Sequence, residues 1–436
     1  MAYRSYTGGR SQRQNANVGS STLFKGLSAQ DICSIPVPSP YSTEDRGVIT
    51  ATNVVTLGSY NWVDHPVPTI IVPGSPSLWK EPVLPLQLSP DSGPTFIDQN
   101  AARSPKSPLE PMIRATSAIQ EALGDSPSLS DEGVDIVTDR NNLRKLMRFI
   151  CANGPNRDTR KNRTHEFRID AQLAPNGKTL VLTRYEENAV DYSTAFKGYG
   201  HSFEEVVTTE CLPPTAVSDR KITGYHRIIR YDLLSLRFMV RFEVDAMTDE
   251  VLHLPSNEPH ADDADTLAEM FANTSLSGHH SVPFKVAAEA LNQSSKLVTV
   301  EGSRLRHIMY GELVPQSSLI ELKTLTNKFD VTWSDVYPQL FLSQTPTVKV
   351  AKHFRGMVST VQTYTNASKE IQKAHSDLSQ DFHALVTLLA QMRALAVKYK
   401  SMNKPLCFYW TGDGDLKVRT VERHDNLLSA KDLALF

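Results

Sequence analysis

Two short segments, in which acidic residues alternate with apolar ones, constrain the fold of this chain more than any other feature. They read Leu-Arg-Phe-Met-Val-Arg-Phe-Glu-Val-Asp-Ala over residues 236–246 and Ser-Leu-Ile-Glu-Leu-Lys-Thr over residues 318–324. Residues two apart in a β-strand point to the same face, so Glu243 and Asp245 share one face of the first strand. Glu321 and Lys323 likewise share one face of the second. We therefore predict that the two strands are neighbours in one central sheet and that their charged groups converge.

The converging carboxylates indicate a site for divalent metal ions. A carboxylate buried in a central strand without a partner is costly, and carboxylate oxygens are the ligands that Mg²⁺ prefers. A pair of such ions clamps the attacking and leaving oxygens of a phosphoryl displacement. A lysine two residues from a ligand is placed to orient the attacking water and to help deprotonate it. The pattern predicts two Mg²⁺ or Mn²⁺ ions and cleavage of a phosphodiester.

Composition sets wide bounds on the function. The chain has 436 residues, of which 40% are hydrophobic and 22% charged, so most of it is expected to fold. The net charge of −2 neither favours nor excludes a nucleic-acid partner, which must be recognised through local basic clusters. The main cluster has two parts, Arg140–Arg148 and Arg157–Arg168.

The four cysteines are far apart and form no C-x-x-C pair, which argues against a zinc ribbon or a disulfide framework. A reducing compartment fits this usage, and we expect a nuclear or cytoplasmic protein, with the nucleus favoured. No apolar run approaches the roughly 18 residues that a transmembrane helix needs. We therefore expect no membrane partner.

The fold class follows from the order of the predicted elements. Residues 1–45 are rich in Ser, Gly, Asn and Gln and are predicted to be a disordered tail. Residues 46–436 are predicted to form a single catalytic domain, with a Pro/Ser-rich loop segment at about 73–132. Strands interleaved with helices predict an α+β fold in which mixed central sheets are flanked by helices. The predicted strands are 225–232, 236–246, 296–309 and 318–324 with a hairpin over 167–185, and the predicted helices are 112–123, 139–150, 261–272, 283–291 and 378–400.

Four motifs, in order, resemble those of the DXO/Rai-type RNA 5′-end decapping nucleases, which are related to the PD-(D/E)xK nucleases. That family carries an arginine, then G-φ-x-φ-E, E-φ-D and E-φ-K, where φ is an apolar residue. The matching segments here are Asp135-Ile-Val-Thr-Asp-Arg140, Gly200-His-Ser-Phe-Glu204, Glu243-Val-Asp245 and Glu321-Leu-Lys323, followed by a helix that begins near Tyr337-Pro-Gln339. The resemblance covers about residues 133–365.

The resemblance also implies roles for individual residues. The implied metal ligands are the side chains of Glu204, Asp245 and Glu321, Glu243 partly through water, and the backbone carbonyl of Leu322. The implied catalytic set contains the same four acids together with Arg140 at the scissile phosphate and Lys323 and Gln339 at the attacking water.

The function that this resemblance implies is metal-dependent decapping or pyrophosphohydrolysis at RNA 5′ ends. The substrates would be incomplete or non-standard caps or a 5′ triphosphate. The sequence leaves open whether 5′→3′ exonuclease activity accompanies decapping. Three alternatives remain. The first is a non-catalytic or weakly catalytic adaptor that stabilises a 5′→3′ exoribonuclease, and the second is a PD-(D/E)xK enzyme acting on DNA. A prenyl diphosphate synthase-like transferase is disfavoured, because Asp262-Asp-Ala-Asp265 has the wrong spacing and no second such motif follows.

Overall fold

A computed structural model describes residues 22–38, 47–125, 128–153, 166–212, 220–248, 297–423 and 426–436. The helices predicted at 261–272 and 283–291, and the basic residues between 157 and 163, lie outside the described residues. None of the described helices is long and apolar enough to cross a membrane.

Short strands dominate the described chain. They are β1 (Cys33–Ile35), β2 (Ala51–Val63), β3 (Thr69–Gly74), β4 (Leu78–Trp79), β5 (Leu86–Gln87), β6 (Thr95–Phe96), β7 (Ile136–Asp139), β8 (Phe167–Leu173), β9 (Leu180–Tyr185), β10 (Val190–Asp191), β11 (Thr208–Thr209), β12 (Ile222–Leu233), β13 (Leu236–Val244), β14 (Ala246–Met247), β15 (Leu297–Thr299), β16 (Arg306–Gly311), β17 (Leu319–Thr326), β18 (Thr347–Phe354), β19 (Met357–Thr365), β20 (Leu406–Trp410) and β21 (Leu416–Thr420). The helices are α1 (Gln99–Arg103), α2 (Glu110–Ala122), α3 (Arg140–Asn153), α4 (Gly200–Val207), α5 (Trp333–Ser343), α6 (Lys369–Lys398) and α7 (Ala430–Leu433).

The larger sheet has the strand order β1-β21-β20-β8-β9-β7-β13-β12-β2-β3-β16-β15 within the described residues. Strand β13 lies near its middle, pairing antiparallel with β12 and parallel with β7. Its apolar side chains are buried on both faces: Phe238 and Val240 pack on one side and Met239 on the other. An apolar strand that is covered on both faces forms a stable centre for a mixed sheet.

The second sheet has the order β11-β4-β14-β17-β18-β19-β5. Strand β14, which follows β13 after the single residue Asp245, pairs antiparallel with β17 through Ala246 and Ile320. The chain therefore passes from one sheet to the other at Asp245. The predicted pairing of strands 236–246 and 318–324 is confirmed only at Ala246, which pairs with Ile320. Their prediction as neighbours in one central sheet is wrong, because β13 belongs to the larger sheet and β17 to the second.

Helices cover both faces of the larger sheet. Helices α3, α5 and α6 share one apolar core with the larger sheet and with β18 of the second sheet. Helix α2 packs on the opposite face against β2 and β3, and α4 packs against β17 of the second sheet. This arrangement confirms the predicted α+β class with mixed sheets flanked by helices. The organisation as a single domain stays a prediction.

The segment that holds β1 differs from the sequence prediction. Residues 22–38 were expected to belong to a disordered tail, but Cys33–Ile35 pairs antiparallel with β21. Leu23 and Ile35 are buried, at 7% and 4% exposure. A three-residue edge strand is held mainly by backbone hydrogen bonds, so its polar sequence carries little periodic signal.

Most of the other predicted elements are confirmed. The structure contains the predicted hairpin as β8–β9, the strand 225–232 within β12, and the helices 112–123 and 139–150 as α2 and α3, each shifted by a few residues. The segment 296–309 forms two strands, β15 and β16, instead of one. The helix predicted over 378–400 begins earlier, at Lys369. Its first turns bury only Ile371 and Ala374 among mostly polar residues, which is why the sequence pattern placed the start too late.

Candidate active site

The carboxylate of Glu321 is the most completely hydrogen-bonded acid of the site. It is 2% exposed on β17 and accepts from Arg140 Nη1 at 3.0 Å and from Lys323 Nζ at 2.5 Å. Gln339 on α5 donates to the same carboxylate. Burial opposes its ionisation, but Lys323 and Arg140 outweigh burial and lower the pKa of Glu321 to about 2. Glu321 is therefore ionised at neutral pH and collects three of the predicted site residues.

Asp245 lies at the passage between the two sheets. Its Oδ2 accepts a hydrogen bond from the backbone N–H of Leu322 at 2.7 Å, which ties the passage to β17 beside Glu321. Burial, followed by the charge of Glu321, raises the pKa of Asp245 to about 7. Lys323 opposes this rise, but Asp245 has no direct hydrogen bond from a cation among the described residues, whereas Glu321 has two.

Glu204 comes from α4 and faces the same group of acids. Burial, together with the charges of Asp245 and Glu243, raises the pKa of Glu204 well above its usual value. The imidazole Nδ1 of His201 lies 4.0 Å from Glu204 Oε2, and Lys323 is the charge that opposes the rise in the pKa of Glu204. Glu204 thus shares with Asp245 a shortage of positive charge.

Helix α4 is fixed by a residue that the sequence did not single out. The carboxylate of Asp91 accepts from the backbone N–H groups of His201 at 3.2 Å and Ser202 at 2.9 Å, so that it caps the start of the helix from a distant part of the chain. Phe203 and Val207 pack the opposite side of α4 into the core of the second sheet. Asp91 and this packing together aim Glu204 at the site.

Glu243 lies on β13 and is exposed to solvent. The surrounding protein nonetheless reduces its hydration and raises its pKa, an effect that Arg140 opposes. Close beside it, Gly224 has φ +47°, and a Cβ there would lie 3.2 Å from Glu243 Oε1 and 2.2 Å from Gln99 Oε1. The positive φ favours glycine at position 224, and the absence of a Cβ leaves the ends of Glu243 and Gln99 in place.

Arg140 is the first residue of α3 and is 8% exposed. Its guanidinium lies 5.7 Å from the ring centre of Phe242, in addition to its bond with Glu321. The preceding residue, Asp139, accepts from Arg241 Nε at 2.7 Å, and Arg241 is 1% exposed. This buried pair fixes the strand-to-helix junction that carries Arg140.

The other basic residues of α3 divide into two kinds. Lys145 is bonded to Glu186 at 2.7 Å and is therefore neutralised within the protein. Burial and the nearby Arg140 and Arg148 lower the pKa of Arg144 to about 10, so Arg144 lies in a positively charged environment. Arg148 is exposed. These residues support a basic surface beside the site.

The structure thus brings together all of the predicted side chains: Arg140, Glu204, Glu243, Asp245, Glu321, Lys323 and Gln339, with Leu322 in the backbone beside Asp245. Sequence reasoning missed Asp91 and Gln99, which lie in the Pro/Ser-rich segment where no periodic pattern marks them. Gln99 Oε1 is buried and has no hydrogen-bond partner within the described part of the chain.

The donor set fits a divalent cation in its chemistry. Glu204, Glu243 and Asp245 offer hard carboxylate oxygens, and their raised pKa values mark a local shortage of positive charge. In the side-chain positions described, no group of three His, Cys, Asp or Glu residues is already spaced to hold a metal. Binding would require these exposed and half-buried side chains to turn toward a common ion.

Comparison with known proteins places the fold. Residues 37–421 match the family described as "Domain of unknown function (DUF8563)". No curated protein sequence matches the chain. S. pombe Rai1 is a similar solved structure, with 13% sequence identity, a TM-score of 0.52, and coverage of 88% of this chain and 98% of Rai1.

Two further structures carry ligands. S. pombe Rai1 in complex with 3′-FADP has 14% identity and a TM-score of 0.51, covering 88% of this chain and 98% of its own. Scheffersomyces stipitis Rai1 in complex with (3′-NADP)⁺ and calcium has 11% identity and a TM-score of 0.51, covering 93% and 98% respectively. At these identities the similarity shows that the chains share a fold.

Proposed function

We propose that this chain, which belongs to the DUF8563 family, is a divalent-metal-dependent hydrolase that acts on RNA 5′ ends. Its substrates would be incomplete or non-standard caps or a 5′ triphosphate. The observation that carries the proposal is the convergence of four acids with Arg140 and Lys323 where the chain passes between the sheets. The shared fold with Rai1, including structures with dinucleotides and calcium, supports it.

The acids would hold Mg²⁺ or Mn²⁺, with two ions expected. The proposed ligands are Glu204, Asp245 and Glu321, with Glu243 partly through water and the carbonyl of Leu322. A divalent cation supplies electrostatic stabilisation to the phosphoryl oxygens as negative charge develops on them. A bound cation would favour the ionised forms of Glu204 and Asp245, whose pKa values are raised first by burial and then by the neighbouring acids.

Lys323 and Gln339 would orient the attacking water. Burial opposes the charge of Lys323, but Glu321 and Asp245 raise its pKa, so it is protonated at neutral pH. A protonated lysine donates hydrogen bonds and cannot accept the proton of the water. Lys323 therefore serves as a donor to the water or to the developing charge, and Gln339 as a second donor.

Arg140 would bind the scissile phosphate. Its bond with Glu321 and the buried Asp139–Arg241 pair hold the guanidinium at the site before the substrate arrives. Positioning charge in advance avoids reorganisation during the reaction, which is the main source of electrostatic catalysis.

The test is a comparison of RNA 5′ ends. RNAs that differ only in carrying a 5′ triphosphate, an unmethylated cap, a methylated cap, an NAD cap or a 5′ monophosphate are incubated with the protein and Mg²⁺ or Mn²⁺, and the released product is identified. We expect release of pyrophosphate or a cap dinucleotide from at least one RNA, and none in EDTA. If every end stays intact while the protein binds RNA, the adaptor function replaces this proposal.

A further inference from the structure

A cleft of about 1150 Å³ extends from the site along the far end of β17. Glu204 lines it, so it is continuous with the group of acids. Its walls come from the segment before α4, from the turn after β17 and from the turn between β18 and β19. A space of this size, open to solvent, accommodates more than a single small group.

Phenylalanine side chains stand exposed around this cleft. Phe196 is 70% exposed, Phe329 is 64% exposed and Phe354 is 55% exposed, and all three line it. Their positions on separate segments place apolar rings on both walls. Single exposed apolar side chains are common on protein surfaces. Several of them clustered around one concave surface indicate a binding site.

The backbone beneath these rings is fixed. The turn that carries Phe329 is closed by its N–H bond to Thr326 O at 3.1 Å, and Lys352 Nζ donates to Phe329 O at 2.5 Å. On the opposite wall, the ring of Tyr199 packs so closely on Gly356 that a Cβ there would lie 2.7 Å away. The turns that carry Phe329 and Phe354 are therefore fixed by hydrogen bonds and close packing.

Two cations accompany the rings. Lys328 and Arg355 are exposed in the cleft, and neither has an ion-pair partner among the described residues. Arg355 lies 5.4 Å from the ring centre of Phe354. Of the acids on the cleft wall, Asp191 is paired with Lys197 at 3.4 Å, and Asp91 caps α4. Exposed rings flanked by unpaired cations suit a ligand that has flat faces and negative charge.

We propose that this cleft binds unpaired nucleotides next to the scissile phosphate. Phe329 and Phe354 would stack on nucleobases, and Lys328 and Arg355 would contact the phosphates between them. Aromatic platforms with adjacent cations bind single strands with little sequence preference. The proposal rests on the proposed function. The stacked nucleotide has two candidate sources, the RNA body and the leaving side of the cap, and the two probes below distinguish them.

Base stacking can be measured without turnover. The full-length protein is kept in EDTA, and intact probe is verified by gel. One probe is a 5′-monophosphate uridine pentanucleotide with 2-aminopurine at its second position. The other is a 5′–5′ triphosphate-linked dinucleotide with 2-aminopurine as one base. Stacking on a ring quenches the fluorescence of this base, and titration gives the Kd.

We expect the wild type to quench at least one probe. Phe329→Leu and Phe354→Leu keep an apolar surface but remove the ring, and should weaken binding of the quenched probe about 5- to 100-fold each. Lys328→Gln should reduce the slope of log Kd against log salt by about 0.7. The control Leu234→Ala removes an apolar side chain of similar exposure, 54%, from the β12–β13 turn and should change neither quantity.

The outcomes separate this site from the enzymatic function. Quenching of the pentanucleotide alone assigns the cleft to the RNA body, and quenching of the dinucleotide alone assigns it to the leaving nucleotide. Unquenched probes, or Phe329→Leu and Phe354→Leu variants that bind as tightly as the wild type, overturn the stacking site even if the protein hydrolyses RNA. Conversely, ring-dependent binding by a protein that hydrolyses no RNA end overturns the proposed function and leaves the stacking site standing.

Discussion

Asp245 and Glu321 are neighbouring acids with very different pKa values, about 7 and about 2. Glu321 has Arg140, Lys323 and Gln339 as donors, whereas Asp245 accepts only from the backbone N–H of Leu322 within the described part of the chain. The favourable charge partners are therefore concentrated on one of the two acids. This asymmetry leaves a local excess of negative charge that a cation would neutralise.

The first prediction concerns the pH dependence of stability. The pKa of Asp245 is about 7 in the folded protein, against an ordinary value of 3.8. The folded state therefore holds this proton more tightly than the unfolded chain, and the associated stability is lost as pH rises from about 4 through 7. Asp245→Asn cannot ionise, so in EDTA it should be more stable than the wild type at pH 8, with a smaller difference at pH 5.

Urea unfolding at the two pH values measures this difference. Glu205→Gln, at an exposed neighbour of Glu204, is the control and should leave the wild-type dependence unchanged. An Asp245→Asn variant whose stability relative to the wild type is the same at pH 5 and pH 8 would show that Asp245 does not have a raised pKa.

The second prediction concerns Arg140. Its guanidinium is proposed to meet charge that develops in the transition state, so Arg140→Ala should lower kcat about 10²-fold or more. Glu321 keeps Lys323 and Gln339 as partners, so the fold should persist. Arg148→Ala, two turns along the same helix and exposed, should weaken RNA binding and its salt dependence and leave kcat at saturating RNA unchanged. Steady-state kinetics measure both quantities. A lower kcat in Arg148→Ala together with an unchanged kcat in Arg140→Ala would contradict this assignment.

At the scale of elements, the site depends on where strands end. Alternation of acidic and apolar residues was sufficient to predict β13 and β17 and the faces of their acids. It did not predict that the chain leaves the larger sheet at Asp245, because sheet membership depends on the packing of α4 and β18 against β14 and β17. The residues that support the acids include Asp91, which comes from a Pro/Ser-rich segment and contacts α4 about 110 residues along the chain.

The third prediction tests the support of α4. Asp91→Ala removes the acceptor for two backbone N–H groups and should destabilise the helix start by about 1 kcal/mol. Because Glu204 then loses its fixed direction, the rise in melting temperature on adding Mn²⁺ should shrink. Asp91→Asn keeps an acceptor oxygen and should retain most of that rise. Equal Mn²⁺-induced shifts in the wild type and Asp91→Ala would show that Asp91 does not position Glu204.

At the scale of the whole molecule, the two sheets meet at the site, and the cleft runs outward from it. The α+β class was predictable because strands and helices each carry local apolar periodicity. The division into two sheets and the short strand β1 were not, since both depend on contacts between segments far apart in the chain. The cleft was likewise invisible in the sequence, because Phe196, Phe329 and Phe354 are widely spaced and belong to no motif.

The central claim is that the converging acids form a metal-dependent phosphodiesterase centre. Glu204 and Glu205 allow the most direct measurement, because they are adjacent on α4 and only Glu204 faces the acids. Single-turnover hydrolysis of the preferred RNA 5′ end is measured in Mn²⁺ and in EDTA. We predict that the wild type and Glu205→Gln hydrolyse only in Mn²⁺ and that Glu204→Gln is slowed at least about 10²-fold. Wild-type rates in Glu204→Gln, or full activity in EDTA, would contradict the account.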